Sequence, residues 1–549
     1  MTADRDARFG EGDRLSRGAR ISTVAACAAL LVVPLVPGAL TTGTPAALLG
    51  VPAESLAIVL VLLIVVARPV RATAAGVFGA VVVSAILVAV LDLGFRAMID
   101  RPFNLVEDGG AVLSAWGVVR DAAGTGNAIL TVLLLAALAA AAAVALARAA
   151  LRVGGAAAGA GRRGGIAVAA VTGAWLVGSL AGLQVLPGTP VAASRVEDTL
   201  IDSSARALTS IRDQRAFERA LESDRLDGVP AQELLAALAG KDVVVAFVES
   251  YGRVAVEDSA FTDGIARALD EGGSLLEREG YSSRSAFLAS PTFGGVSWLA
   301  HATLQSGVWV DSQAKYDRLM AGDRQTLSGA FARAGWRTVA VVPSNTRPWE
   351  AGASFYGFDT VLDSRNMGYR GPAFGYARMP DQYTWQVFSD RELGNGRQPV
   401  MAEIDLVSSH TPWTPLPSLV PWTRVGNGSV FAGQAAEAES PVIAWADPDR
   451  ARVLYGRSVE YALRTIFSFL ETYGDQDLVL VVLGDHQPAR IVSGSEADGD
   501  VPVTIISKDP QVFASIASWR WEDGPRPSPD APVWRMDRFR DRFVEAFSG

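Results

Sequence analysis

Five apolar runs in the first third of the chain, at residues 21–40, 54–67, 74–95, 128–146 and 166–186, restrict its fold more than anything downstream. Crossing a bilayer takes about 20 residues of helix, and in lipid only helices or closed barrels satisfy every backbone polar group. The second run is the weakest, because its apolar core is short and Arg68 ends it. Arginine placement sets the direction. The N-terminal tail carries Arg5, Arg8, Arg14, Arg17 and Arg20, the second-to-third connection Arg68 and Arg71, and the fourth-to-fifth Arg148, Arg152, Arg162 and Arg163. The alternate loops hold only Arg96, Arg101 and Arg120, so the split is eleven against three. The positive-inside rule then puts the N-terminus in the cytoplasm, and five crossings leave everything beyond Leu186 outside. The chain reads as a multi-pass protein of the plasma membrane with an extracytoplasmic C-terminal domain.

A cleaved signal peptide accounts for the first run and not for the next four. Val24-Ala25-Ala26-Cys27 resembles a lipoprotein box, but Cys27 precedes most of its apolar run. It is also the only cysteine, so the external part has no disulfides and relies on its own core. Net charge is −9 overall and +4 up to Leu186, which leaves −13 outside. That balance excludes nucleic acid as a partner. Oligomeric state is not legible.

The expected organisation is a cytoplasmic tail (1–20), a five-helix membrane domain (21–186), a helical linker (187–240, with helical patterns at 205–226 and 231–239) and an external domain (241–549). Within the last, short apolar runs at 243–249, 338–343, 400–406, 478–483 and 503–506 alternate with helical patterns at 325–335 and 454–473. Continuous apolar runs rich in β-branched residues indicate strands buried on both faces of a mainly parallel sheet. The external domain is therefore expected to be α/β, with sites at the carboxyl ends of strands.

Chemistry concentrates there. The chain has three histidines in 549 residues, and histidine is the commonest metal ligand and the side chain that titrates near neutrality. Asp485-His486 follows the fourth strand, with Gly484 expected to permit a turn, and Glu249 closes the first. Two carboxylates and one imidazole suit zinc or manganese, although a strand-ending Glu in water is the plain alternative for Glu249. Gly294-Gly295-Val296-Ser297 precedes a helical pattern, where a hydroxyl and free backbone N–H groups can meet a phosphate. Ser is equally a favoured helix N-cap. His301, one turn on, either touches that phosphate or packs against its own turn. His410 follows the third strand in Ser408-Ser409-His410-Thr411-Pro412.

These segments, in this order, resemble the alkaline phosphatase and sulfatase superfamily, above all its membrane-anchored lipoteichoic acid synthases and phosphoethanolamine transferases. The resemblance covers residues 241–507, and the five-helix part is similar to the synthases. It implies an alkaline phosphatase-type α/β fold. It also implies one divalent cation (manganese or zinc, with magnesium a further candidate) on Glu249, Ser297, Asp485 and His486. Ser297 stands where the family nucleophile is usually Thr, and His410 where the family binds substrate. Trp349 matches a head-group-gripping Trp of the synthases better than Arg347 matches its Arg, and Asp381 resembles a recurring Asp of structural or substrate-contact role. Residues 297–307 have the spacing of the sulfatase signature but lack its Pro and Arg, which argues against sulfate-ester hydrolysis.

The reading these features support is transfer of a phosphorylated head group from a membrane phospholipid to a cell-envelope glycan or lipid, through a phospho-serine intermediate. Phosphoglycerol is favoured, because five helices and an external domain without cysteine resemble the synthases more than the disulfide-rich phosphoethanolamine enzymes. Phosphoethanolamine transfer, phosphodiester hydrolysis and a non-catalytic envelope scaffold are the alternatives.

Overall fold

The computed structural model describes residues 18, 20–110, 124–257, 259, 261–394, 397–437, 440 and 445–548. The tail arginines 5–17 and Arg120 lie outside them. The chain forms two compact units, Met1–Arg96 with Arg101–Arg212, and Ala97–Asp100 with Asp213–Gly549.

In the first unit, among the described residues, four helices are long and apolar enough to cross a membrane: Arg20–Thr42, Arg68–Ala97, Thr125–Gly159 and Gly161–Leu180. Leu130, Leu134 and Leu138, one face of the third, stand exposed, as side chains do that meet hydrocarbon rather than water. The weakest run forms the helix Ala53–Ile64, only 12 residues long. At 1.5 Å per residue it spans about 18 Å, against roughly 30 Å of hydrocarbon. The last helix stops at Leu180, and Gln184–Leu186 instead pairs antiparallel with Thr189–Pro190. The polar segment that follows is helical over Arg195–Leu221. The helix expected at 231–239 does not form. Leu235 takes a left-handed backbone (φ 56°) and only Ala236–Leu238 makes a 3-10 turn; Leu234, Leu235 and Leu238 are buried in the core of the second unit.

The second unit is built on one sheet. Its strands are β1 (Asp242–Val248), β2 (Ser282–Ala289), β3 (Arg337–Val342), β4 (Thr360–Asp363), β5 (Val400–Leu406), β6 (Leu478–Gly484), β7 (Asp500–Ser507), β8 (Glu522–Asp523) and β9 (Val533–Arg535). The order is β8-β2-β7-β6-β1-β5-β3-β4, with β9 also on β2. From β6 through β4 every pairing is parallel, while β7 runs against both β6 and β2. All five expected strands are present, and the sheet is mainly parallel.

The apolar runs have the reason expected of them. Val244, Ala246 and Val248 of β1 enter one core, and Val243, Val245 and Phe247 enter the other. Helices α1 (Asp263–Arg278), α4 (Asp381–Glu392) and α5 (Pro448–Tyr473) cover the first face. Helices α2 (Ser297–Ser306) and α3 (Leu327–Arg333) cover the second. Strand β2 escapes sequence reading because Ser283 and Ser285 interrupt it. Both are buried, and Ser285 Oγ donates to Gly524 O at 2.7 Å in the segment beside the edge. Since β1, β2, β5 and β6 run the same way, the chain leaves all four at one edge of the sheet.

Candidate active site

At that edge the residues after β1 and β6 meet. Glu249 N donates to Leu406 O at 3.0 Å, prolonging the pairing of β1 with β5. Ser250 then turns into the left-handed region at φ 56°, a conformation that costs a non-glycine residue about 1 kcal/mol or more. Three contacts hold it: Ser250 N donates to Asp485 Oδ1 at 2.7 Å, Tyr455 OH of α5 donates to Ser250 O at 2.8 Å, and Ser250 Oγ donates to Glu249 Oε1 at 3.0 Å. Gly484 does not serve the turn expected of it, since its φ is not positive. It is needed because a Cβ there would lie 1.9 Å from Tyr251 O.

Asp485 and His486 are buried. The backbone N–H of His486 donates to Asp485 Oδ1 at 2.7 Å, and His486 Nδ1 lies 2.8 Å from Gln487 O. A carbonyl only accepts, so Nδ1 carries a hydrogen, and in the neutral ring Nε2 is the atom that offers a lone pair. The same carbonyl accepts Gly294 N at 2.9 Å, which ties the glycine loop before α2 to the histidine. One ligand atom each from Glu249, Asp485 and His486 lies within 4.8 Å of the others. That donor set, with its imidazole lone pair held inward by a second hydrogen bond, fits a divalent cation.

Ser297 lies beside it, and not as an N-cap. Val296, left-handed at φ 60°, holds the cap position, with no side-chain cap bond. Ser297 is the first helical residue, and its Oγ donates to Glu249 Oε2 at 3.1 Å and sits 3.2 Å from His486 Nε2. The hydroxyl is directed at the acid–imidazole group rather than at its own helix. Burial, then the neighbouring charge of Asp485, pushes Glu249 up. Burial also opposes ionisation of Asp485, yet His486 and His301 hold it below the usual carboxylate range.

These groups open on a cleft of about 460 Å³. His410 lines it, stacked on Tyr376 with ring centroids 3.7 Å apart and Nδ1 2.6 Å from Thr411 O. Trp349 lines it too, its ring 5.0 Å from Tyr356. Two expected substrate contacts lie elsewhere. Arg347 is exposed and is not part of the lining. Asp381 is fully buried at the start of α4, where Oδ1 accepts Ser408 N and its own N–H donates to Ser408 Oγ, both at 3.0 Å. Asp381 thus anchors the turn that carries His410 and touches nothing in the cleft. Burial lifts it to about 7.

His301 does more than pack against its own turn. Its ring stacks on Phe247 at 3.8 Å, and Nδ1 lies 3.1 Å from Glu403 Oε1 and 3.6 Å from Asp405 Oδ1. Burial pulls this imidazole down, but Asp405 and Glu403 outweigh it and lift it to about 9. Burial likewise raises Asp405 to about 7, only partly offset by His301. Glu403 and Asp405 were missed in the sequence. The signal was there, as two acids spaced by two on an otherwise apolar strand, Val400-Met401-Ala402-Glu403-Ile404-Asp405-Leu406. No Lys or Arg lines the cleft among the described residues.

No family model matches the sequence, and no curated protein does. Solved structures do. The integral membrane lipooligosaccharide phosphoethanolamine transferase A of Neisseria meningitidis is 12% identical, over 94% of this chain and 95% of that one, at a TM-score of 0.43. The Streptococcus pyogenes phosphoglycerol transferase GacH is 13% identical over 61% and 80%, at 0.35. A Vibrio parahaemolyticus protein of the alkaline phosphatase superfamily is 14% identical over 56% of this chain and 66% of that one, at 0.38.

Proposed function

We propose that this chain is a membrane-anchored, divalent-cation-dependent transferase that moves a phosphorylated head group, phosphoglycerol first, from a phospholipid to an extracytoplasmic envelope acceptor. One observation carries the reading: Ser297 Oγ is released from helix capping and set between Glu249 and His486. A hydroxyl so placed is a nucleophile in the making.

Glu249, Asp485, His486 and Ser297 would hold the cation. When bound, it supplies positive charge that lowers the hydroxyl's pKa and offsets charge on phosphoryl oxygens, a task no Lys or Arg in the lining performs. Ser297, its hydroxyl proton given up to solvent, attacks the phosphodiester phosphorus through Oγ, the Oγ–P bond forms, and the bond from phosphorus to the diacylglycerol oxygen breaks. That oxygen leaves with a proton, and His410 in the cleft is the group positioned to manage it. An acceptor hydroxyl then attacks the same phosphorus, gives up its proton and frees Ser297. Trp349, Tyr316 and Tyr356 on the wall give the head group its packing surface.

Extracytoplasmic placement rests on five crossings, so the short Ala53–Ile64 helix must count as one. If it did not, Arg68, Arg71 and the arginines at 148–163 would fall outside, against the positive-inside rule. A second head group has one observation in its favour, because Glu403 and Asp405 suit the ammonium of phosphoethanolamine. Incubating the purified chain with labelled phosphatidylglycerol or phosphatidylethanolamine tests both: label transferred to Ser297 from neither donor would defeat the proposal.

A further inference from the structure

Beyond the half-buried His301, every residue of α2 from Leu299 to Ser306 is buried, yet Trp298 in the first turn is 47% exposed. A large apolar side chain standing alone on a surface needs no explanation. This one lines the cleft directly after the nucleophile, and it is held in place. Trp298 Nε1 donates to Gln313 Oε1 at 3.1 Å, and Gln313 Nε2 donates in turn to Asp317 Oδ1 at 2.7 Å. Gln313 and Asp317 lie one turn apart on the helix Gln313–Met320. The indole is thus fixed by its polar edge while close to half of the side chain stays uncovered. A ring already immobilised gives up little freedom when a ligand lies on it.

The same lining holds a hydroxyl without a partner. Ser344, two residues past the end of β3, lines the cleft with its Oγ buried and making no hydrogen bond. Buried polar atoms are normally satisfied, and a hydroxyl both donates and accepts, so a hydroxyl of the ligand completes it. An acyl chain laid there would leave it unsatisfied. An anionic acceptor would meet carboxylates and, among the described residues, no Lys or Arg. The chemistry left is a neutral ligand that combines a flat apolar face with many hydroxyls. A pyranose ring has both: its axial C–H bonds turn a weakly positive face toward the negative face of an indole, and its equatorial hydroxyls point outward to polar groups.

We propose that Trp298 is the stacking platform of an acceptor subsite for a neutral pyranose ring, with Gln313 positioning the indole and Ser344 bonding a ring hydroxyl. The inference rests on the transfer proposed above and gives its acceptor a chemical class, a sugar. Trp298 and Ser297 are consecutive, their Cα atoms about 3.8 Å apart, so a ring on the indole lies beside the phosphorus that Ser297 carries. A sugar hydroxyl oxygen then forms the new bond to that phosphorus, the bond to Ser297 Oγ breaks, and the hydroxyl's proton passes through solvent to Oγ.

The test is saturation-transfer NMR on the full chain in a detergent without a sugar head group. The probes are the methyl pyranosides of glucose, galactose, mannose and N-acetylglucosamine, with open-chain sorbitol as the control that has hydroxyls and no ring face. At least one pyranoside should take up saturation from wild type, most strongly at its ring C–H protons, and sorbitol should not. The signal should fall about fivefold or more in Trp298→Ala, recover in part in Trp298→Phe and weaken in Gln313→Leu and Ser344→Ala; near-ultraviolet circular dichroism reports which variants keep the fold. An unchanged signal in Trp298→Ala, or no pyranoside signal in wild type, overturns the subsite. Labelling of Ser297 by the lipid donor, measured beside it, separates the two failures. Label without pyranoside binding overturns the subsite alone, whereas pyranoside binding without label overturns the proposed transfer and with it the acceptor role. Label lost in Trp298→Ala while the pyranoside signal persists places the indole against the donor lipid and also overturns the subsite.

Discussion

Replacing Gly484 with Ala tests whether the site depends on the backbone contact between β6 and the turn after β1. A Cβ at 484 would lie 1.9 Å from Tyr251 O, 2.8 Å from Tyr251 C and 3.1 Å from Val501 Cβ. An ordinary carbon–oxygen contact is about 3.2 Å or more, so one backbone must give way by roughly 1 Å, and neither is a flexible tip. Overpacking of this kind costs typically 1–3 kcal/mol, occasionally more; with backbone as the obstacle, about 3 kcal/mol is expected. For a unit of about 340 residues, unfolding entropy near 2.1 cal/mol/K per residue converts that to a Tm lower by about 4 °C. The displacement falls on Ser250 N–Asp485 Oδ1, the bond that sets Glu249 against Asp485. Misplacing reacting groups by about 1 Å costs on the order of 100-fold in rate. Thermal unfolding followed by tryptophan fluorescence, with head-group transfer measured beside it, reads both effects. A variant within 1 °C of wild type that keeps full activity would refute the close-approach argument.

Asp381→Asn should change the pH profile of stability. A carboxyl raised from 3.8 to about 7 by burial stabilises the fold below pH ~4, and that contribution is lost as pH rises through 7. At ~1.4 kcal/mol per unit the decline reaches at most about 4 kcal/mol. Asn keeps the acceptor for Ser408 N and should flatten the Tm profile between pH 4 and 8; an unchanged profile would mean Asp381 is ionised throughout. Ser297→Ala should cost no more than about 1 kcal/mol, one hydrogen bond's worth, while abolishing transfer, and Ser297→Thr should retain part of it. Activity surviving in the Ala variant would exclude covalent chemistry. Reporter fusions after Gly10 and Gly155 should sit in the cytoplasm, and those after Gly110 and Gly240 outside. A cytoplasmic Gly240 fusion would mean that Ala53–Ile64 does not cross.

Legibility followed burial. Strands buried on both faces, such as Asp242–Val248 and Leu478–Gly484, announce themselves as apolar runs, and the acids and histidine at their ends stood out against that background. The strand Ser282–Ala289 was hidden because serines interrupt it, and the buried Ser285 is satisfied by a distant edge segment, which no local pattern records. Ser297 could be read as cap or nucleophile until the left-handed Val296 took the cap position. Asp381 showed a motif and not a location: only the fold reveals that it faces Ser408 instead of the cleft. Glu403 and Asp405 were visible as two acids in an apolar strand, but their pairing with His301 is a tertiary fact across 102 residues of chain.

The central claim is that Ser297 carries the head group between two attacks. Full-length protein in detergent, loaded with Mn²⁺ and given phosphatidylglycerol with an isotopically labelled phosphoglycerol group, is quenched in acid without acceptor, digested and analysed by mass spectrometry. The account requires labelled phosphoglycerol on the peptide containing Ser297, released when acceptor is added before the quench and absent in Ser297→Ala. Label on another residue, or turnover in wild type with Ser297 unmodified at every quench time, would contradict it.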